Sequence, residues 1–363
     1  MGRHGCPCRR PYSRKRNIWF RLLGLSGLSA KSHVRRPASG PVPKGAVSGP
    51  PLALHGPRSR PAPPLPAPPV KRLPCRGAAG MVRPMPAFPA PDGTLLAYHV
   101  SGGGPPLVCL PGGPMQDCGY LGGLGGLAAH RRLILLDPRG TGRSATPEDP
   151  SSYRCDRLVD DVEALRVHLG LDRIDLLAHS AGTNLAVRYT ERHPERVGRL
   201  ALITPSVAAV GVEVTGALRR DTALLRKDEP WFPEAFAALE ELMAGRMPEG
   251  GPRAVAPFFY GRWDETARAH RKAEEGRKNN EAAAVFAAEG AFAPDTTRAA
   301  LARHAAPVLV LAGEFDLNSP PGAMAAVADL FPHARYVVQP GAGHFPWLDD
   351  ADGFAAVVAE FLA

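Results

Sequence analysis

Three residues far apart in the chain have the types needed for nucleophilic acyl chemistry: Ser180, Asp316 and His344. A free serine hydroxyl is a weak nucleophile, so it needs a base to take its proton and an acid to orient that base. Ser180 lies in Ala178-His-Ser-Ala-Gly182, one methyl away from the G-x-S-x-G turn at which a strand breaks sharply into a helix. Asp316 closes Gly313-Glu-Phe-Asp316, and His344 closes Gly341-Ala-Gly-His344. Each also has a plainer use. A serine among small residues caps helices, Asp316 could cap a helix beginning near Pro320, and a histidine in a glycine-rich loop can simply be exposed.

The surrounding residues supply elements that would bring the three together. Ile174, Leu176, Leu177 and Ala178 form the short apolar run of a strand buried on both faces, and Leu185, Ala186, Tyr189 and Thr190 then recur at helical spacing until His193-Pro194. Similar runs occupy 107–110, 133–136, 200–203, 308–312 and 336–338, with an earlier strand in 93–100. Between two of them Leu158, Val159, Val162, Leu165 and Leu169 form one helical stripe that Gly170 ends. Continuous apolar strands alternating with helices predict an α/β fold with a mostly parallel sheet covered by helices on both faces. Ligands of such sheets sit beyond the carboxyl ends of the strands. There the sequence places Pro111-Gly-Gly-Pro-Met115, Asp137-Pro-Arg-Gly-Thr-Gly-Arg-Ser144, Ser180, Asp316 and His344 in turn. Serine, acid and histidine follow in the order used by this type of sheet for a nucleophilic triad, a coincidence that unrelated turns would rarely produce.

From 205 to 306 the strand pattern stops and helical segments rich in Ala, Glu and Arg take over. That is far beyond an ordinary connection, and it predicts a helical cap (205–306) inserted into a core made of 85–204 and 307–363. The cap aromatics cluster at Trp231, Phe232 and Phe236, then at Phe258, Phe259, Tyr260 and Trp263, where packing within the cap is their first use. The string Gly122-Gly-Leu-Gly-Gly126 does not directly follow a buried strand and lacks the spacing of a dinucleotide loop. No metal and no cofactor is expected.

The chain has 363 residues and a net charge of +9, but 16 Lys and Arg and no acid fall in residues 1–80, leaving 28 basic against 35 acidic residues. This Pro- and Gly-rich segment has no sustained apolar period, which predicts a disordered leader over 1–84. A transit peptide would suit its lack of acids, and a true start at Met81 or Met85 suits the abrupt change of composition better. Its apolar stretch, Ile18 to Ala30, is broken by Arg21, Gly24 and Gly27, so no membrane span is expected. It also lacks the interleaved aromatics of a nucleic-acid arm, and no nucleic-acid partner is expected for the folded part. Cys6, Cys8 and Cys75 precede the folded part, while Cys109, Cys118 and Cys155 fall within it at spacings of no zinc or redox motif. This usage suits a reduced, cytoplasmic protein.

Taken together, residues 93–363 resemble the α/β-hydrolase superfamily, and within it the proline iminopeptidase-like branch of serine peptidases. The resemblance rests on Leu110-Pro-Gly-Gly-Pro114 where that branch usually has His-Gly-Gly-Pro-Gly, on the 137–144 motif, on the Ser180 turn leading to His193-Pro-Glu-Arg-Val197, and on Asp316 and Gly343-His344. Pro111, Met115 and Ala181 depart from the branch pattern. The resemblance implies a serine hydrolase that works through an acyl-enzyme. His344 would act as base, Asp316 would orient it, and the backbone N–H groups of Gly113 and Ala181 would receive the oxyanion. It also implies short peptides as substrates, with release of an N-terminal proline or similar residue. Cap carboxylates of the branch hold the substrate's amino terminus; Asp228-Glu229, just before Pro230-Trp231, is the candidate, with Glu229 and Trp231 as the substrate-binding residues and Glu234 and Asp264 behind them. Hydrolysis of a small carboxylic ester, lactone or amide is the alternative on the same machinery, and a non-enzymatic binding protein is a third class.

Overall fold

The computed structural model describes residues 86–363, so the expectations for the leader and its three cysteines lie outside the described residues. Eight strands build one sheet: β1 (Ala87–Pro89), β2 (Leu95–Ser101), β3 (Pro106–Leu110), β4 (Arg132–Leu136), β5 (Ile174–His179), β6 (Val197–Ile203), β7 (Val308–Gly313) and β8 (Ala334–Gln339). Their order is β1-β2-β4-β3-β5-β6-β7-β8. β1 and β2, and β2 and β4, pair antiparallel; every later pair is parallel. β1 is absent from the sequence expectation because three residues ending in proline show no period, and it pairs only with β2 at the sheet edge. The chain lays β4 on one side of β3 and then β5 on the other. The winding therefore reverses at β3, and a crevice opens beyond the carboxyl ends of β3 and β5.

The helices are α1 (Cys155–His168), α2 (Gly182–Arg192), α3 (Gly216–Leu224), α4 (Phe232–Met243), α5 (Glu265–Ala273), α6 (Asn280–Phe286), α7 (Pro294–Leu301), α8 (Pro321–Ala328), α9 (Pro346–Asp349) and α10 (Ala351–Leu362). Alternate residues of the strands feed two cores. Val108, Leu110, Leu176, Ala178 and Leu202 join α1, α2 and α8 on one face. Leu107, Cys109, Leu177, Ala201 and Ile203 join Phe354, Val358 and Leu362 of α10 on the other. Each such Leu or Val, once buried, stabilises the fold by about 1.5–3 kcal/mol. Leu158, Val159, Val162 and Leu165 of the expected stripe are buried in α1, Leu169 is half-buried at its C-cap, and Gly170, with φ +66°, turns the chain out of it.

Residues 137–144 act as a lock between elements and do not enter the crevice lining. Asp137 accepts hydrogen bonds from the N–H groups of Cys118 and Arg143 and meets His99 Nε2 at 3.0 Å. Arg139 is buried; its Nε donates to Asp161 of α1 at 2.8 Å and its Nη1 to Asp92 of the β1–β2 turn at 2.6 Å. Gly142 is required here, because a Cβ at its position would lie 2.3 Å from the Asp137 carboxylate.

Between β6 and β7 the chain builds α3 to α7 and a 3-10 run, Gly251–Phe259. Thr215, Asp264 and Asn279 cap α3, α5 and α6 by accepting the N–H groups of Leu218, Ala267 and Ala282. Phe232, Leu239, Leu242, Val255 and Phe258 form a third, separate core. This insertion bonds to the loops that follow the strands. Asn279 Nδ2 donates to Gly140 O, Lys278 Nζ to Gly113 O, and the Phe259 carbonyl accepts the His344 N–H at 2.8 Å.

Candidate active site

Ser180 is the first residue after β5, and its backbone has φ +51°, a left-handed conformation unfavourable for a residue with a Cβ. The turn survives because its neighbours are small and its backbone is fully engaged. The Ser180 N–H donates to Ile203 O, and its carbonyl accepts from the N–H groups of Thr183 and Ser206. A Cβ on Gly182 would lie 2.4 Å from Pro111 O, and one on Gly112 would lie 2.8 Å from Ser180 Cβ. Ala178, which stands where the motif usually has glycine, is wholly buried in β5 without such a conflict.

The structure brings the three chemistry-bearing residues together. His344 Nε2 lies 2.8 Å from Ser180 Oγ, and His344 Nδ1 lies 2.7 Å from Asp316 Oδ2. Asp316 is completely buried, and its Oδ1 accepts from the N–H groups of Asn318 at 2.8 Å and Ser319 at 3.1 Å. A buried carboxylate held this way can orient an imidazole and stabilise its charged form, which is what proton removal from a hydroxyl requires. Ala181 is the N-cap of α2, so its N–H belongs to the positive end of that helix. The Gly112 turn lies against it: a Cβ on Gly112 would be 3.3 Å from Ala181 N. Gly113 follows with φ +111°, a conformation open to glycine.

Two further residues, missed from the sequence, connect these parts. The Gly112 N–H donates to Tyr120 Oη at 2.7 Å, Tyr120 Oη lies 2.7 Å from His179 Nδ1, and His179 Nε2 lies 2.8 Å from the His344 carbonyl. The His344 carbonyl can only accept, so His179 Nε2 carries the proton and donates to it; the neutral ring's Nδ1 then accepts from the Tyr120 hydroxyl. Burial holds the His179 imidazole neutral by pushing its pKa well below the usual histidine value, and holds the Tyr120 phenol protonated. The sequence signal for His179 was its place directly before the serine; Tyr120 had none.

Two cavities, of about 550 and 520 Å³, share Ser180 and Gly113. The first also carries Gln116, Arg271, Glu274, Lys278 and Asn280; the second combines Val207, Val212, Val214, Phe286 and Phe292 with Glu213 and Arg219. Glu229 and Trp231 line neither. Glu229 pairs with Arg226 at 2.9 Å, and Trp231 packs edge-on to Phe258 under the Arg226 guanidinium. Asp264 is spent on the α5 cap, and Glu234 is exposed. Two insertion carboxylates do line the Ser180 cavities: Glu213 in the second, and Glu274 in the first, held by Gln116 Nε2 at 3.1 Å and Tyr260 Oη at 3.4 Å, with Arg271 at 3.7 Å.

The α/β hydrolase fold family matches residues 105–351. The chain belongs to the α/β-hydrolase fold family. Among its relatives, a proline iminopeptidase of Heyndrickxia coagulans is 26% identical over 284 residues, 73% of this chain and 93% of that protein. Two solved α/β-hydrolases align with it at comparable strength. The proline iminopeptidase of Mycobacterium smegmatis gives a TM-score of 0.58 at 25% identity, covering 77% of this chain and 97% of its own. A thermophilic esterase of Thermogutta terrifontis gives 0.57 at 26%, covering 77% and 98%. The protein is thus a serine hydrolase of this family.

Within this α/β-hydrolase one group of metal-ligand type occurs among the described residues: His99, Cys118 and Asp137. It does not suit an ion, because the Asp137 oxygens already bond to backbone N–H groups, and burial beside Asp137 pushes the Cys118 thiol far above its ordinary value. Among the described residues no helix is long and apolar enough to cross a membrane, and Cys109, Cys118 and Cys155 are free and buried.

Proposed function

We propose that Ser180, His344 and Asp316 are a catalytic triad and that the protein is an aminopeptidase releasing proline or a similar residue from the amino end of short peptides. The observation that carries this is the hydrogen-bonded series Ser180–His344–Asp316, at 2.8 and 2.7 Å, placed where two cavities meet. His344 removes the Ser180 proton as Oγ attacks the carbonyl carbon, and the charge that develops on oxygen is received by the Ala181 and Gly113 N–H groups. Each such donor lowers the barrier by about 3 kcal/mol. His344, now charged against Asp316, passes its proton to the leaving amine, and a water repeats the sequence to free the acyl group. The insertion serves as the cap, and two chambers at the serine suit a substrate with two halves. Glu274 and Glu213, rather than Glu229, are the insertion acids that the two cavities offer to a substrate amine. The free, buried cysteines suit a reducing compartment such as the cytoplasm.

Hydrolysis of a small carboxylic ester, lactone or amide is the second reading. What favours it is that Glu274 is already held by Gln116, Tyr260 and Arg271, while Arg271 and Lys278 give the same cavity a cationic balance unsuited to an ammonium. Assays with prolyl arylamides and short-chain nitrophenyl esters, beside Ser180→Ala, separate the two. Both activities falling at least about 10⁴-fold in Ser180→Ala is the expected result. Ester cleavage without arylamide cleavage removes the peptidase reading, and equal turnover by the variant removes the triad.

A further inference from the structure

Lys278 is bound in place next to the reacting centre, and among the described residues no acid forms an ion pair with it. Its Nζ donates to Gly113 O at 2.8 Å, and it lines the cavity that holds Ser180 and His344. Among the described residues no carboxylate oxygen lies within 4.0 Å of it. The lysine is not a swinging surface side chain, because its backbone is paired on both sides. Gln116 and Lys278 form an antiparallel bridge, the Asp117 N–H donates to Arg277 O at 3.2 Å, and the Asn279 N–H donates to Met115 O at 2.9 Å. Glu274, the acid that shares this cavity, is turned to Gln116, Tyr260 and Arg271. An ammonium has three donors, and a single carbonyl neither uses them nor neutralises the charge. Lys278 is half-buried, so its charge is partly withdrawn from water, and a ligand of opposite charge would complete it.

We infer that Lys278 anchors a carboxylate carried by the substrate, so that the enzyme selects anionic substrates. This rests on the reading of Ser180 as nucleophile only in that the anchored molecule is the one cleaved. The carboxylate has two sources, the free carboxyl end of a dipeptide or an acid on the acyl half of an ester. The pKa agrees with the geometry: burial, with a smaller contribution from Arg271, pushes the ammonium down to about 8, against the opposing pull of Glu274. A bound carboxylate would reverse that penalty. The other ionisable groups facing the cavity are Arg271, Glu274, Tyr260, Tyr120, His179 and His344.

The test compares matched acid and neutral substrates on the full-length protein: a prolyl dipeptide against its carboxyl-terminal amide, and mono-nitrophenyl glutarate against nitrophenyl valerate. In wild type, kcat/KM should favour the acid in at least one pair by about tenfold or more, the factor expected of a hydrogen bond to a charged group. Which pair responds identifies the source. The preference should fall as pH rises through about 8, where Lys278 loses its proton. Lys278→Met should abolish the acid-to-neutral ratio and Lys278→Arg should retain it. The ratio is the readout because loss of the Gly113 contact would slow both members of a pair alike. No preference in either pair, or a preference that survives Lys278→Met, overturns the inference. Calorimetric binding of glutarate against glutaramide to Ser180→Ala gives a second measure independent of turnover. Tighter glutarate binding there, lost in the Ser180→Ala, Lys278→Met double variant, supports the anchor even if the nucleophile assignment fails; equal binding of the two overturns it.

Discussion

At the scale of single residues, the three positions at strand ends do not stand alone. Tyr120 links the Gly112 N–H to His179, and His179 links onward to the His344 carbonyl, so one run of hydrogen bonds ties the Gly112 turn to the backbone of the base. Removing the hydroxyl in Tyr120→Phe leaves a buried N–H and a buried imidazole nitrogen without partners. That should lower stability by about 1–3 kcal/mol, read from urea unfolding. It should also lower kcat more than it raises KM, because the change is felt at the turn and the base rather than by the bound substrate. A kcat equal to wild type would show that this linkage is structural only. Ser180, Asp316 and His344 were legible in the sequence because each type sits directly after an apolar run. Tyr120 was not, since it sits in a short 3-10 turn, Cys118–Leu121, with no period of its own.

Elements decide where those residues stand, and the strongest single tie between elements is buried. Arg139 holds the loop after β4 to Asp161 of α1, and both side chains are only 3% exposed. Deleting one member of such a pair leaves a charge in the core, so Arg139→Leu should cost about 3–5 kcal/mol of unfolding free energy. Unfolding within 1 kcal/mol of wild type would mean that Asp161 takes up a proton or finds water instead. The alternation of strands and helices was readable because period and length are local properties. The pairing of 115–117 with 277–279 was not, because it joins segments about 160 residues apart that meet as one isolated bridge between irregular stretches. For that reason the cavity residues Glu274 and Lys278 escaped the sequence, whereas Glu229 and Trp231, conspicuous on either side of Pro230, serve an ion pair with Arg226 and the third core respectively.

For the whole molecule, charge and fold separate along the chain. The first 80 residues carry 16 basic groups and no acid, while the remainder has 35 acids against 28 bases. A variant beginning at Met81 should therefore lose retention on heparin yet keep the full-length protein's turnover of prolyl arylamides and nitrophenyl esters, since the candidate site lies wholly within 86–363. Retention unchanged by the truncation would place the polyanion contact on the folded part instead. The bond from the His344 N–H to the Phe259 carbonyl has a consequence of another kind. The segment between β6 and β7 looks like an exchangeable module, an invitation to graft a relative's segment and inherit its selectivity. Yet this module supplies a backbone partner to the histidine and pins the Gly113 turn through Lys278. Recombination at the two strand ends would thus transplant part of the chemistry along with the selectivity. Chimaeras should stay active only when the donor segment reproduces both junctions, however well it folds by itself.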